Sequence, residues 1–177
     1  MEFRDLTAED IDVRIQSVKP NGLVLLLYKD ARVDMAILDE NVGAENWQRE
    51  HYECKGNLFC RVGIRVTTED GKSEWVWKSD CGVESNTEAQ KGESSDSFKR
   101  ACFNWGIGRE LYTSPFIWIP KEKCTIQNGK CCDRFVVERI KVENKRITAL
   151  SILNMSLPGN KASDKRVFLM MPKEDKE

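Results

Sequence analysis

The chain has 177 residues, 40% of them hydrophobic and 32% charged, which suits one well-packed domain with a short tail and is too little for two comfortable domains. A formal net charge of −1 argues against a uniformly basic nucleic-acid binder. The longest apolar run, Leu23 to Tyr28, falls far short of the roughly 20 residues of a membrane span, and no basic-then-apolar leader opens the chain, so a soluble cytoplasmic protein without a membrane partner is expected. The near-neutral balance hides a split: residues 121–177 carry 13 basic and 8 acidic side chains, residues 1–120 carry 15 and 21. Any anion site must therefore be a local patch.

In chain order, Thr7-Ala8-Glu9-Asp10 reads as a capped turn, and Ile11, Val13 and Ile15 alternate with polar residues as in a strand. Pro20-Asn21-Gly22 then turns the chain into the apolar return strand Leu23–Tyr28. Asp30 suits the cap of a helix with Val33, Ala36 and Ile37 on one side and Gly43 as its stop, presenting Arg32 in the first turn. A three-stranded meander follows: Trp47 to Lys55, Leu58 to Thr67, and Ser73 to Cys81, with turns at Gly56-Asn57 and Asp70-Gly71. In its middle strand Cys60, Val62, Ile64 and Val66 share one face, while Arg61, Gly63, Arg65 and Thr67 share the other. Trp75 and Trp77 share a face of the third strand and are expected to serve packing.

Ser85-Asn86-Thr87-Glu88 fits a capping box and opens a helix predicted to run to about Trp105. Phe98, Ala101, Cys102 and Trp105, at i, i+3, i+4 and i+7, form its core-facing flank. Lys99 and Arg100 emerge at the edge of that flank, a suitable place to hold a phosphate, and Gly106 and Gly108 end the helix. Phe116–Ile119 lies between prolines, and Phe135–Val142 with Arg146–Leu153 forms a second hairpin around Glu143-Asn144-Lys145. The fold class is α+β: an antiparallel β-meander packed on a long helix (a β-β-β-α core), with an N-terminal hairpin and short helix and a C-terminal hairpin. Residues 1–120 are assigned to the core, 121–157 to a hairpin extension and 158–177 to a polar tail.

Seven cysteines, an odd number placed mostly within predicted elements, suggest reduced thiols rather than a disulfide framework. Cys124 with Cys131 or Cys132 is the nearest approach to a metal-ligand spacing, but His51 is remote in sequence, so neither a metal nor another cofactor is expected.

The element order, together with Ser95-Asp96-Ser97-Phe98-Lys99-Arg100-Ala101 and Gly106-Ile107-Gly108-Arg109-Glu110-Leu111-Tyr112, resembles the single-strand annealing proteins of phages and bacteria, in the superfamily of the eukaryotic Rad52 recombination mediator. The resemblance runs from about Val13 to Ile119. It implies a non-enzymatic homo-oligomer, a ring or helical filament whose strands make a continuous sheet. In such an assembly a groove holds single-stranded DNA by its backbone, with the bases outward for pairing and without nucleotide hydrolysis. By the same resemblance Lys99 and Arg100 line the inner groove, Arg32 faces it and Lys91 matches a further basic position. Arg61 and Arg65 complete the candidate DNA contacts, and a single-strand DNA-binding protein is a candidate partner. Phe103 stands where the eukaryotic members carry an arginine, and Glu69 stands where they carry an outer-site lysine, with Lys72 as the nearest substitute.

Other readings compete. A double-stranded RNA-binding module shares the order helix, three strands, helix, but grips phosphates with lysines at the start of its second helix, where this chain has Ser85-Asn86-Thr87-Glu88. Glu53-Cys54-Lys55, with Asp39 or Glu40, has the residue types of a metal-dependent nuclease. A ring-former without DNA affinity is a third possibility. Gly106-Ile107-Gly108 follows a helix and lacks a third glycine, so it is no dinucleotide fingerprint.

Overall fold

A computed structural model describes residues 1–83 and 89–172. The capping box at residues 85–88 and the end of the tail, 173–177, lie outside them. The fold is α+β, with antiparallel pairing throughout. Strands β1 (Asp12–Lys19) and β2 (Gly22–Tyr28) precede helix α1 (Ala31–Val42). The meander β3 (Trp47–Cys54), β4 (Asn57–Thr67) and β5 (Ser73–Cys81) leads to α2 (Ala89–Trp105). Next come β6 (Ile117–Pro120), the short pair β7 (Ile126–Gln127) and β8 (Lys130–Cys131), and the hairpin β9 (Phe135–Glu143) and β10 (Arg146–Asn154). A single helical turn, α3 (Ala162–Lys165), precedes β11 (Arg166–Met170). No helix among the described residues is long and apolar enough to cross a membrane.

The chain divides into two compact units, one formed by residues 1–4 and 31–108, the other by residues 5–30 and 109–177. In the first unit, β4 runs between β3 and β5, and α2 covers one face of the sheet. Cys60, Val62 and Ile64 meet Phe98, Ala101 and Cys102 in a core where all six are 0% exposed. The 3.6-residue period of α2 and the two-residue period of β4 thus meet on their apolar faces, as the sequence pattern predicts.

The buried side of α1 differs from expectation. Asp34, Ile37 and Leu38 are fully buried, while Ala36 is exposed and Val33 half-buried. The apolar pair Ile37-Leu38 sets the roll of the helix and carries Asp34, one turn earlier, into the interior. There its carboxylate sits in the first turn, where the helix dipole favours negative charge. Gly43, with φ +83°, ends the helix as predicted, and Asn41 Nδ2 donates to the Ile37 carbonyl at 2.9 Å.

The second unit contains a six-stranded sheet in the order β11-β10-β9-β1-β2-β6 and the small β7–β8 ribbon. The sheet curls until its end strands β6 and β11 approach each other. Leu23, Leu25, Ile117, Ile119, Phe135, Leu150, Ile152 and Val167 fill its interior. Asn144 and Lys145, with φ of 51° and 58°, close the β9–β10 hairpin in a two-residue turn that matches strand twist. The same chemistry at Asn128-Gly129, with φ of 50° and 70°, makes the β7–β8 ribbon, which the sequence reading missed. β11 comes from the apolar run within the stretch read as polar tail. Its Arg166 forms a two-pronged pair with Glu138 of β9 at 2.6 and 2.7 Å.

Candidate nucleic-acid interface

Every candidate DNA contact named from sequence falls in the first unit: Arg32 on α1, Arg61 and Arg65 on β4, and Lys91, Lys99 and Arg100 on α2. α1 packs against α2, so Arg32 belongs to the same helical layer as the Lys-Arg pair. The sheet lies between that layer and the arginines of β4, whose side chains alternate away from Cys60, Val62 and Ile64.

The helix is pinned in place by polar contacts as well as by its apolar flank. Trp105 Nε1 donates to the Val62 carbonyl at 3.0 Å, and Asn104 Nδ2 to the Ser79 carbonyl at 3.0 Å. Lys78 Nζ donates to the Asn104 carbonyl at 3.0 Å and lies 4.5 Å from the centre of the Trp105 ring. A cation is thereby set on the carbonyl-rich end of α2, where the helix dipole favours positive charge. Near the other end, Glu93 accepts the Leu58 N–H at 3.1 Å, and His51 Nε2 lies 3.1 Å from both the carbonyl and hydroxyl oxygens of Ser94. Gly82 allows the chain to pass beside α2, since a Cβ there would come within 2.1 Å of the Glu93 carbonyl oxygen.

With the roll of α2 fixed, Lys99 and Arg100 emerge about 100° apart on the part of the helix facing away from its core flank. Lys99 is half-buried and has no carboxylate partner among the described residues. Arg100 leans toward β5, with Nε 3.3 Å from Asp80 Oδ1. The pair is partly buried, with side-chain exposures of 39% for Arg100 and 26% for Asp80. Lys91 and Arg32 are exposed. Phe103, at the family arginine position, is half-buried. Lys72 pairs with Asp70 at 3.0 Å in the β4–β5 turn.

On the far face of the sheet, Arg61 binds Glu50 at 2.6 Å and lies over the Trp77 ring, 4.6 Å from its centre, and Arg65 is exposed. Trp77 packs flat on Gly63, where a Cβ would meet its ring at 2.8 Å, whereas Trp75 is exposed. The packing role expected for both tryptophans therefore holds for Trp77 alone. Of the residues considered for nuclease chemistry, Asp39 accepts Trp47 Nε1 at 2.6 Å, Glu40 binds Arg4 at 2.7 Å, and Lys55 sits at a turn with φ 53°. Among the described residues, no three His, Cys, Asp or Glu side chains gather as a metal site.

Arg49, His51 and Lys78 are absent from the sequence-based candidates. Arg49 lies over Phe98, 4.9 Å from the ring centre. Their signal is the strand period: each has the parity of the helix-facing positions of its strand, where a polar side chain requires a partner on the helix.

An antiparallel meander on a helix whose outer surface carries basic side chains defines a β-β-β-α protein. A family model described as the Rad52/22 family double-strand break repair protein matches residues 4–129, and the chain belongs to that family. At family level this means DNA repair and recombination through single-strand annealing. No curated protein and no solved structure matches the chain significantly.

Proposed function

We propose that this chain binds single-stranded DNA and, as a cytoplasmic homo-oligomer in the form of a ring or helical filament, anneals complementary strands without nucleotide hydrolysis. The observation that carries the reading is the surface of α2. Its apolar flank is locked into the sheet, while Lys99 stands outside that flank with no carboxylate partner among the described residues and Arg100 makes a partly buried pair with Asp80 for which a phosphate would compete. Contacts from Lys and Arg to phosphates ignore sequence and leave base edges available, as annealing requires.

Repetition reconciles this patch with a net charge of −1. Few cations per subunit suffice when an assembly aligns them and each weak contact gains from its neighbours. The three-stranded sheet ends in β3 on one side and β5 on the other, two different edges that suit head-to-tail assembly. Arg32 and Lys91 extend the cationic surface in the helical layer, and recruitment by a single-strand DNA-binding protein fits an annealing role.

The test is binding of a fluorescent single-stranded oligonucleotide at low salt, together with strand annealing and particle imaging of the pure protein. Wild type should bind, anneal without nucleotide and form oligomers, and the double variant Lys99→Ala/Arg100→Ala should lose well over tenfold in affinity. Unchanged affinity of that variant refutes the groove assignment, and a strictly monomeric protein refutes the assembly.

A further inference from the structure

The sheet face turned away from α2 carries a row of rings and guanidinium groups that annealing through Lys99 and Arg100 does not use. Tyr52 of β3 stacks on Phe59 of β4 with centroids 5.5 Å apart, and Trp75 and Trp77 of β5 lie 6.3 Å apart. All four share one face, because Tyr52 pairs with Phe59, Gly63 with Trp77 and Arg65 with Trp75 across the ladders. Tyr52 is 37% exposed and Trp75 40%, large aromatic areas for a sheet surface. Arg61 is held over Trp77, and Arg65, beside Trp75, has no carboxylate partner among the described residues.

We propose that this face is a stacking platform for the unpaired bases of a polynucleotide strand, built on Trp75 and Tyr52 and flanked by Arg61 and Arg65. The proposal rests on the reading of the chain as a single-strand binder, and it assigns a second contact surface on the opposite side of the sheet from α2.

Three features favour a nucleic-acid strand over another protein surface. The exposed rings are separated by Arg61, Arg65, Gln48, Ser73 and Ser79, so each ring stands beside groups that can donate hydrogen bonds to a phosphate or a base. Arg61 and Arg65 face outward against the single carboxylate of Glu50, a balance complementary to phosphate. The rings are also prepositioned. Gly63 leaves the space that seats Trp77 flat on the backbone, and Trp77 in turn supports Trp75, so little side-chain freedom remains to be given up when a base stacks.

The experiment compares the full chain and its Trp75→Ala, Trp75→Phe and Tyr52→Ala variants on two fluorescent oligonucleotides of equal length, oligo(dT) and an abasic strand with the same phosphates. Base stacking is worth about 1–3 kcal/mol per base, so Trp75→Ala should weaken oligo(dT) binding by roughly 5- to 150-fold and leave abasic binding within twofold. Tyr52→Ala should act in the same direction, and Trp75→Phe should recover most of the loss. Equal losses on both strands, or no loss on either, overturn the platform. A change of oligomeric state in Trp75→Ala on sedimentation also overturns it, because the face would then be a contact between copies. Failure of wild type to bind either strand removes the parent reading as well. Wild-type binding that is sensitive to Lys99→Ala and indifferent to Trp75→Ala removes the platform alone.

Discussion

The ring of Phe98 stacks on that of Trp47, with centroids 6.1 Å apart, and the guanidinium of Arg49 lies over Phe98 at 4.9 Å. This contact ties the middle of α2 to β3 and sets which residues of the helix meet solvent. Phe98 is 0% exposed, so Phe98→Ala should cost about 3–5 kcal/mol, read as a lower urea midpoint. Lys99→Ala, one residue on, should leave that midpoint nearly unchanged. If both variants unfold alike, the placement of Lys99 outside the core flank is wrong.

The phosphate role of α2 makes a claim about salt. Removing one cation that grips a phosphate of a single strand should flatten the plot of log K against log salt by about 0.7. Binding titrations between low and physiological salt should give a shallower slope for Lys99→Ala and a shallower one still for the double variant with Arg100→Ala. Asp80 adds a check. Asp80→Ala should leave affinity equal or raise it, since the carboxylate that competes with phosphate for Arg100 is then gone. A fall in affinity for that variant would show that the carboxylate positions Arg100 rather than competes for it.

How far the sequence reveals this architecture depends on the range of the forces involved. The middle strand is expected at Leu58–Thr67 and forms at Asn57–Thr67, because alternation of Cys60, Val62 and Ile64 with polar residues is a local pattern that burial of one face enforces. The flank of α2 is equally visible. The roll of α1 is not, since Asp34 looks like a surface residue until Ile37 and Leu38 are known to point inward together. Nor can the pairing of Arg100 with Asp80, or of Lys78 with the end of α2, be read from the chain. Those partners lie 20 and 26 residues apart and meet only once β5 has been laid against the helix. The exposed Trp75 illustrates the same limit, because the parity it shares with Trp77 does not tell which ring is covered.

Thiol reactivity should divide along burial. Cys60 and Cys124 have their pKa values pushed up to about 11, in both cases chiefly by desolvation of the thiolate. Cys54 and Cys132 are exposed. With iodoacetamide at about pH 8, where the thiolate is the reacting species, peptide mass spectrometry should find Cys54 and Cys132 modified first and Cys60 and Cys124 spared in the native protein. Raising the pH toward 11 or adding urea should expose the spared pair. Rapid native labelling of Cys60 would contradict the packing of β4 against α2.

The attachment of β11 should be sensitive to acid through Glu138. Hydrogen bonding from Arg166 is the largest influence on this carboxylate and holds its pKa below the ordinary value of about 4.3. A carboxylate with a depressed native pKa contributes stability that is fully present above the unfolded pKa and is lost as pH falls through the folded one. Urea midpoints of wild type and Glu138→Gln should therefore differ by a constant amount from neutral pH to about pH 5, and the gap should close at lower pH as Glu138 gains its proton. Amide exchange at Phe168 and Leu169, which pair with Ile152 and Ser151 of β10, should be faster in the variant at neutral pH. Identical midpoints at pH 7 would mean that the strand ladder alone holds β11, and a gap that persists unchanged to pH 2 would mean that Glu138 acts through its shape rather than its charge.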